Sequence, residues 1–350
     1  MKHYAGIDVS LEQSSVCVVD AQGKIVREAK VASEPEALIA WFCALDLELE
    51  RIGLEAGPLS QWLHAGMAVA ALKVELLETR HVRTAFKIMP VKTDKTDARG
   101  IAQLMRLGWY RPVHCKSMGA QEIRAVLTAR KQLLGKRHDI EMSLRGILRG
   151  FGLKVGKTTP KTYPARVREL VEGHEVLGEI ATAMLTAREI LDRQLAAMDR
   201  RARQMARTDE RVRRLMTTPG VGVVVALTFT SAIDDSGRFR SSRAVGAHFG
   251  LTPTKHQSGE KDYTGRISRI GDAGARTALY EAANIILTRS SKSSDLKNWA
   301  LGVAGRSDMR KAKVALARKL AVVLHRMLRD GTEFVAHSKP KPNPPAALAA

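Results

Sequence analysis

The first hundred residues switch repeatedly between two hydrophobic periodicities, and that alternation limits the fold more than any other feature of the chain. "HYAGIDV" is a short apolar run closed by an acid. "SSVCVVD" and "IVREAKVA" flank "AQGK", so a glycine-containing turn joins two β-rich runs into a hairpin. "EPEALIAWFCAL" then carries Leu38, Ile39, Phe42 and Leu45 at helical spacing. "RIGLEAG" predicts another short strand ending in an acid, "LSQWLHAGMAVAAL" a helix, "KVELLE" a strand and "TRHVRTAFK" a short helix. Strands alternating with helices after an opening hairpin predict a mixed sheet with helices on both faces.

After Pro112 the character changes. From Ala120 to about Gly150 the chain is helical and basic, with Ile123, Val126, Leu127, Leu133, Leu134, Ile140, Leu144, Ile147 and Leu148 as its apolar positions. "GLKVGKTTPKTYP" interrupts, and a second long helix is expected from about Ala165 to Ala206. In it Leu177, Met184, Leu191, Met198 and Met205 recur every seven residues, with Ile180 and Ala187 at the complementary positions and Gln194 and Arg201 breaking the last two. That spacing predicts a short coiled-coil seam, used for dimerisation or for packing a helical arm. A compact segment runs from Leu215 to about Leu287, followed by a helix at 311–331 closed by Gly331 and a Pro-rich tail. The expected organisation is an α/β domain over 1–115, a helical coiled-coil region over 116–208, a mainly α domain over 209–335 and a disordered tail over 336–350.

With 350 residues, 45% of them hydrophobic, the chain can bury a full core. It has no run of about 18 apolar residues and so no membrane span is expected. "MKHYAGIDVS" lacks the apolar segment of a secretory signal, which makes the cytoplasm the expected location. Cys17, Cys43 and Cys115 lie far apart with no metal-ligand spacing. Reduced thiols are expected, Cys17 and Cys43 as small buried hydrophobes. The formal charge is +21 and the sequence pI is about 10.2. Such a balance implies a polyanionic partner, nucleic acid first, because cations that neutralise phosphates release condensed counterions.

Against that charge, "KTDKTDARGIAQL" places two acids three residues apart at the start of a helix. Residues i and i+3 share a helix face, so Asp94 and Asp97 project together while Ile101 and Leu104 anchor that side to a core. The structural reading is that Asp94 caps the helix and Asp97 complements its dipole. Asp8 and Glu55, however, close the first and fourth strand signals beside small residues, where a ligand can approach. Asp8, Glu55, Asp94 and Asp97 together supply hard oxygen donors suited to Mg²⁺, and paired ions can clamp both oxygens of a phosphodiester displacement.

In the second half, Pro219-Gly220-Val221-Gly222 forms a helix-hairpin-helix-like turn whose backbone N–H groups suit a DNA phosphate. Gly220, Gly222, Lys255, Arg266 and Arg269 are the candidate nucleic-acid contacts. Ser258 in "KHQSGEK" is flanked by glycine and cations that would stabilise an alkoxide and the charge of a phosphoryl transition state. Ser268 in "GRISRIGD" is an equal candidate on chemistry alone.

"YAGIDVS", "LEAGPLSQWL" and "VKTDKTDARGIAQL" resemble the DEDD-type transposases of bacterial insertion sequences. "GLTPTKHQSGEK" and "GRISRIGDAGARTAL" resemble the C-terminal transposase domain of the same group. The resemblance implies a ribonuclease-H-like N-terminal domain of the Holliday-junction-resolvase (RuvC) kind. It makes Asp8, Glu55, Asp94 and Asp97 the Mg²⁺-binding DEDD carboxylates and Ser258 the nucleophile. Many members carry Thr where this chain has Pro58, beside Glu55. The family further implies an RNA-guided recombinase in the bacterial cytoplasm, at the nucleoid. Its partners are double-stranded DNA (element ends and target), a noncoding bridge RNA, and further copies of the chain in a homodimer or homotetramer that brings acids and serine together. Two other readings of the residues are a metal-dependent Holliday-junction-type nuclease without a covalent intermediate, and a non-enzymatic basic nucleic-acid binder.

Overall fold

Alternating apolar residues build the first sheet. The computed structural model describes residues 1–87 and 93–337. Among these, β1 (His3–Asp8), β2 (Gln13–Val19), β3 (Ile25–Ala32), β4 (Leu49–Glu55) and β5 (Val74–Leu77) form one sheet in the order β3-β2-β1-β4-β5. β1, β2 and β3 pair antiparallel, while β4 and β5 run parallel to β1. The hairpin and the strand–helix alternation thus fold as the pattern predicts. Val91 and Lys92 of the acidic motif, and residues 338–350 of the expected tail, lie outside the described residues.

Period-two alternation sends Ala5, Ile7, Ile52 and Leu54 to one face of the sheet. There they bury against Leu38 and Phe42 of α1 (Pro35–Cys43) and Leu63 and Met67 of α2 (Ser60–Val69). Each such aliphatic side chain contributes roughly 1.5–3 kcal/mol on burial. The opposite face carries Gly6, Cys17 and Gly53 beneath α4 (Asp94–Leu107). A Cβ on Gly6 would collide with the backbone of Ala98 and Ala102, and one on Gly53 would stand 2.6 Å from Met105 Cγ. Small residues on both sides let helix and sheet approach to backbone contact. A short α3 (Thr79–Phe86) follows β5. Cys17 is buried, but Cys43 is exposed. It ends α1 off the Leu38–Phe42 stripe that faces the core, so its expected burial is corrected.

The chain divides after Lys116, and the second unit is mostly helical. α5 (Met118–Gly150) and α7 (Glu175–Thr208) lie antiparallel along their lengths. Arg130 meets Asp199 at 2.6 Å, Arg137 meets Asp192 at 3.2 Å, and Arg188 meets Glu141 at 2.7 Å. The second long helix is not continuous from Ala165. α6 (Tyr163–Leu170) ends before Gly173, whose φ of +79° turns the chain into α7. The buried line on α7 also differs from the predicted seam. Leu177, the first residue of that seam, is buried as expected, but the line continues through Ala181, Leu185, Arg188, Leu195, Ala202 and Ala206; Ile180, Met184, Leu191, Met198 and Met205 are half-buried, and Ala187 is exposed.

Beyond the arm, α8 (Glu210–Leu215), α9 (Val223–Ile233), α10 (Ala244–His248), α11 (Ala273–Thr288), α12 (Asp295–Arg306) and α13 (Met309–Asp330) enclose one core. Ala226, Phe229, Leu279, Ala283, Leu316 and Leu320 fill it. Gly331, at φ +67°, ends α13 as expected. One feature departs from a purely helical reading of this segment. β6 (Pro253–Ser258) and β7 (Lys261–Ile267) form an antiparallel hairpin. Most of its side chains are exposed, so no apolar alternation marks it in the sequence. Among the described residues, no helix is long and apolar enough to cross a membrane.

Candidate active site

In the first unit the four acids converge on one edge of the sheet. Ile7 and Leu54 are register partners on parallel strands, so Asp8 and Glu55 are the next residues on neighbouring strand ends. Alternation places both on the face of Gly6 and Gly53, beneath α4. α4 runs antiparallel to β1. Gly6 lies under Ala98 and Ala102, while at the other strand end Arg51 donates to the Met105 carbonyl at 3.2 Å and covers the Tyr4 ring. The first turn of α4, with Asp94 and Asp97, therefore lies toward the strand ends that carry Asp8 and Glu55. Asp94 is exposed and the other three are half-buried.

Helix capping does not consume Asp94. Thr93 is the N-cap: its Oγ1 accepts from the Thr96 N–H at 3.2 Å, and Thr96 Oγ1 accepts from the Thr93 N–H at 2.8 Å. The structural reading of Asp94 as cap is thereby replaced by a threonine capping box. All four donors at the edge are carboxylate oxygens, which suits a hard divalent cation. Among the described residues, no three His, Cys, Asp or Glu side chains stand close enough to hold a metal ion. The four carboxylates lie toward one edge without forming a coordination sphere, and it is their donor type that suits a divalent cation.

Glu28 escaped the sequence reading. It pairs in register with Cys17, which pairs with Gly6, so it extends the row beneath α4. Arg99 donates to it twice, from Nε at 2.5 Å and Nη2 at 2.9 Å, and Lys95 Nζ lies 3.0 Å away. The Arg99 hydrogen bonds hold the Glu28 carboxyl down at about 2, with Lys95 adding and partial burial opposing. Burial, then the Glu28 charge, pushes the Cys17 thiol up to about 12, which leaves it inert. Glu28 pins the helix turn that presents Asp94 and Asp97. Lys95 and Arg99, spaced i and i+4 around Asp97, were the signal that an acid must face them.

In the second unit Ser258 ends β6 and pairs with Lys261 across the two-residue loop Gly259-Glu260. Gly259 has φ +54° at the first loop position, where glycine is favoured in tight hairpins. The serine is exposed at the tip. Lys255 Nζ meets Asp262 at 3.1 Å further down the hairpin, and Thr254 Oγ1 donates to the Arg266 carbonyl at 3.2 Å. Ser268 sits at the base instead. Its N–H donates to the Thr252 carbonyl at 2.9 Å, and its half-buried hydroxyl accepts from the Ile270 N–H at 3.5 Å. Arg269, at φ +55°, donates its N–H to the Gly250 carbonyl at 3.1 Å. Arg276 Nη1 holds this base through the carbonyls of Phe249, Ile270 and Gly271 at 2.9–3.1 Å. An exposed tip thus stands on a hydrogen-bonded base.

The Pro219–Gly222 turn joins α8 to α9 beside a groove of about 860 Å³ lined by Thr218, Lys292, Ser293 and His337 among others. Gly220 has φ +78°, and a Cβ there would stand 2.7 Å from the Ala282 carbonyl. Close packing on α11 accounts for that glycine. Gly222 has open space around it and caps α9, so of the two it is the one that can face a phosphate.

The family described as transposase, DEDD type of the IS110 group, matches residues 5–152, and the transposase IS116/IS110/IS902 family matches residues 212–298. The chain is 26% identical over 333 residues to the transposase for insertion sequence element IS1111A of Coxiella burnetii, covering 92% of this chain and 88% of that one. It is 28% identical over 257 residues to a probable family 20 transposase of Pseudomonas aeruginosa, covering 69% and 73%. It is 26% identical over 275 residues to the transposase for insertion sequence element IS1328 of Yersinia enterocolitica, covering 75% and 78%.

Proposed function

We propose the chemistry of this chain from one premise: it belongs to the IS116/IS110/IS902 family of DEDD transposases and is a DNA transposase. We infer that it excises and inserts its own insertion-sequence element in the bacterial cytoplasm, acting at the nucleoid as a homodimer or homotetramer. A noncoding bridge RNA selects donor and target by base pairing, while the protein mainly contacts backbones. The domains are a RuvC-like domain over 1–115, a helical coiled-coil region over 116–208 and a transposase domain over 209–335, followed by a tail.

Asp8, Glu55, Asp94 and Asp97 are the residues that hold the family's divalent metal, Mg²⁺ in our reading. A cation bound there would supply charge neutralisation at the scissile phosphate and would polarise its oxygens. Ser258 Oγ attacks the phosphorus of a DNA strand. A serine–phosphorus ester forms, the bond from phosphorus to the leaving sugar oxygen breaks, and the serine proton passes to solvent as that oxygen is protonated. Attack by a second strand's hydroxyl then reverses the step on a new partner and frees the serine. Gly222 and the cations Lys255, Arg266 and Arg269 contact DNA phosphates, with Gly220 shaping the turn.

The observation that carries this reading is the common edge: alternation and the antiparallel run of α4 gather all four acids at the same strand ends. Ser258→Ala should abolish covalent protein–DNA capture, read as a denaturant-stable adduct, while leaving nucleic-acid binding intact. Asp97→Asn should remove metal-dependent cleavage. Recombination at the wild-type rate in Ser258→Ala would refute the nucleophile, and cleavage without any adduct would favour a metal-and-water nuclease.

A further inference from the structure

The β6–β7 hairpin carries a feature that neither family membership nor the nucleophile explains. His256 and Tyr263 are register partners, and their rings stack with centroids 5.0 Å apart and planes 21° apart. The other ring pairs among the described residues, such as Phe229–Phe249 and Trp41–Phe42, are tilted or edge-on. A cross-strand ring pair stabilises a hairpin by only a few tenths to about 1 kcal/mol. Here it leaves Tyr263 58% exposed. A two-stranded hairpin without a covering layer is marginal, and an exposed aromatic stack on it leaves ring surface available to a ligand.

Register sets the direction of this stack. Ser258 pairs with Lys261 two residues beyond the His256–Tyr263 pair, so all four side chains emerge from the same face. The face therefore presents, in order, a flat ring, a hydroxyl and a cation. Every nucleobase has a π-face that can extend a ring stack, and a lysine beside it can neutralise the adjoining phosphate. A protein partner would need an apolar surround, and the same face offers the Ser258 hydroxyl and the Lys261 cation instead.

We infer that the His256–Tyr263 pair is a stacking platform for an unpaired base of the DNA strand held at Ser258, a base next to the linkage that is cut. This rests on the proposed role of Ser258. The platform tolerates any base identity and selects strands whose base is already out of the duplex.

The test uses the full chain and a gapped DNA duplex carrying 2-aminopurine in the gap, beside a fully paired duplex and an RNA strand of equal sequence. Tyr263→Val keeps a strand-forming residue and removes the ring; Tyr263→Trp keeps a ring and adds a fluorescent reporter. Tyr263→Val should weaken binding to the gapped duplex about 5- to 100-fold and lose the 2-aminopurine quench. Tyr263→Trp should retain both, with its own emission quenched on binding. Wild-type affinity and quench in Tyr263→Val would overturn the inference, as would an equal loss on fully paired DNA or a loss confined to RNA. Ser258→Ala should keep the quench. If that variant recombines normally, the nucleophile fails on its own; if Tyr263→Val changes nothing while Ser258→Ala ends capture, the platform fails on its own.

Discussion

Replacing Glu28 with glutamine removes the charge that ties the first turn of α4 to the sheet. Arg99 and Lys95 hold this carboxyl at about 2 against an ordinary 4.5. Converted in full, that difference amounts to roughly 3 kcal/mol. The carboxyl is only 18% exposed, but Lys95 and Arg99 are 61% and 40% exposed, and solvent screening of such partners cuts the net effect to about 1–2 kcal/mol. A depressed carboxylate stabilises above its unfolded value, so the contribution is complete near neutral pH and is lost as pH falls from about 4.5 toward 2. Hydrogen exchange resolved by mass spectrometry reads this locally. Near neutral pH, α4 amides in Glu28→Gln should open roughly 5- to 30-fold more often than in the wild type, and the gap should close in acid. The concentration of divalent metal needed for cleavage should rise in parallel, because Asp94 and Asp97 ride on that turn. Unchanged protection of α4, or protection lost uniformly over the first unit, would refute Glu28 as the local tether.

Gly6→Ala should force α4 off β1, since the new methyl meets the backbone of Ala98 and Ala102. Overpacking of this kind costs about 1–3 kcal/mol, so a lowered melting temperature should accompany loss of both cleavage and the Ser258 adduct; an unchanged melt with full cleavage would refute the close contact. Arg188→Met should unravel the arm tip. Arg188 is 4% exposed and binds Glu141, Asp192 and the Pro160 carbonyl at 2.7–2.9 Å while lying over Tyr163. Removing the buried guanidinium leaves the half-buried Glu141 and Asp192 with Arg137 alone and costs about 1–3 kcal/mol, visible as helix loss by circular dichroism; an unchanged melt would show the network to be dispensable.

What could be read from the sequence divides along a physical line. That Asp8, Glu55, Asp94 and Asp97 lie toward one edge of the sheet was legible because each sits at a strand end or in the first turn of a helix whose own periodicity is local, and pairing those elements needs only the alternation of a sheet. Glu28 was not, because its meaning lies in Arg99, 71 residues away in sequence, and no local pattern reports that distance. The buried line on α7 departs from the apolar repeat for a related reason. The inward line runs through Arg188, Asp192 and Asp199, which α5 answers with Glu141, Arg137 and Arg130. A search for apolar repeats skips charged positions and settles one residue aside, on Met184, Leu191 and Met198, which only flank the interface. The β6–β7 hairpin was invisible on the same ground: it buries almost nothing, so hydrophobic alternation has no face to mark. At Glu28 and along α7, charged side chains rather than burial hold two elements together, and the hairpin rests on its backbone ladder. In a chain that must meet a polyanion, those are the places where function concentrates, because a surface kept polar for DNA cannot also announce itself by hydrophobic pattern.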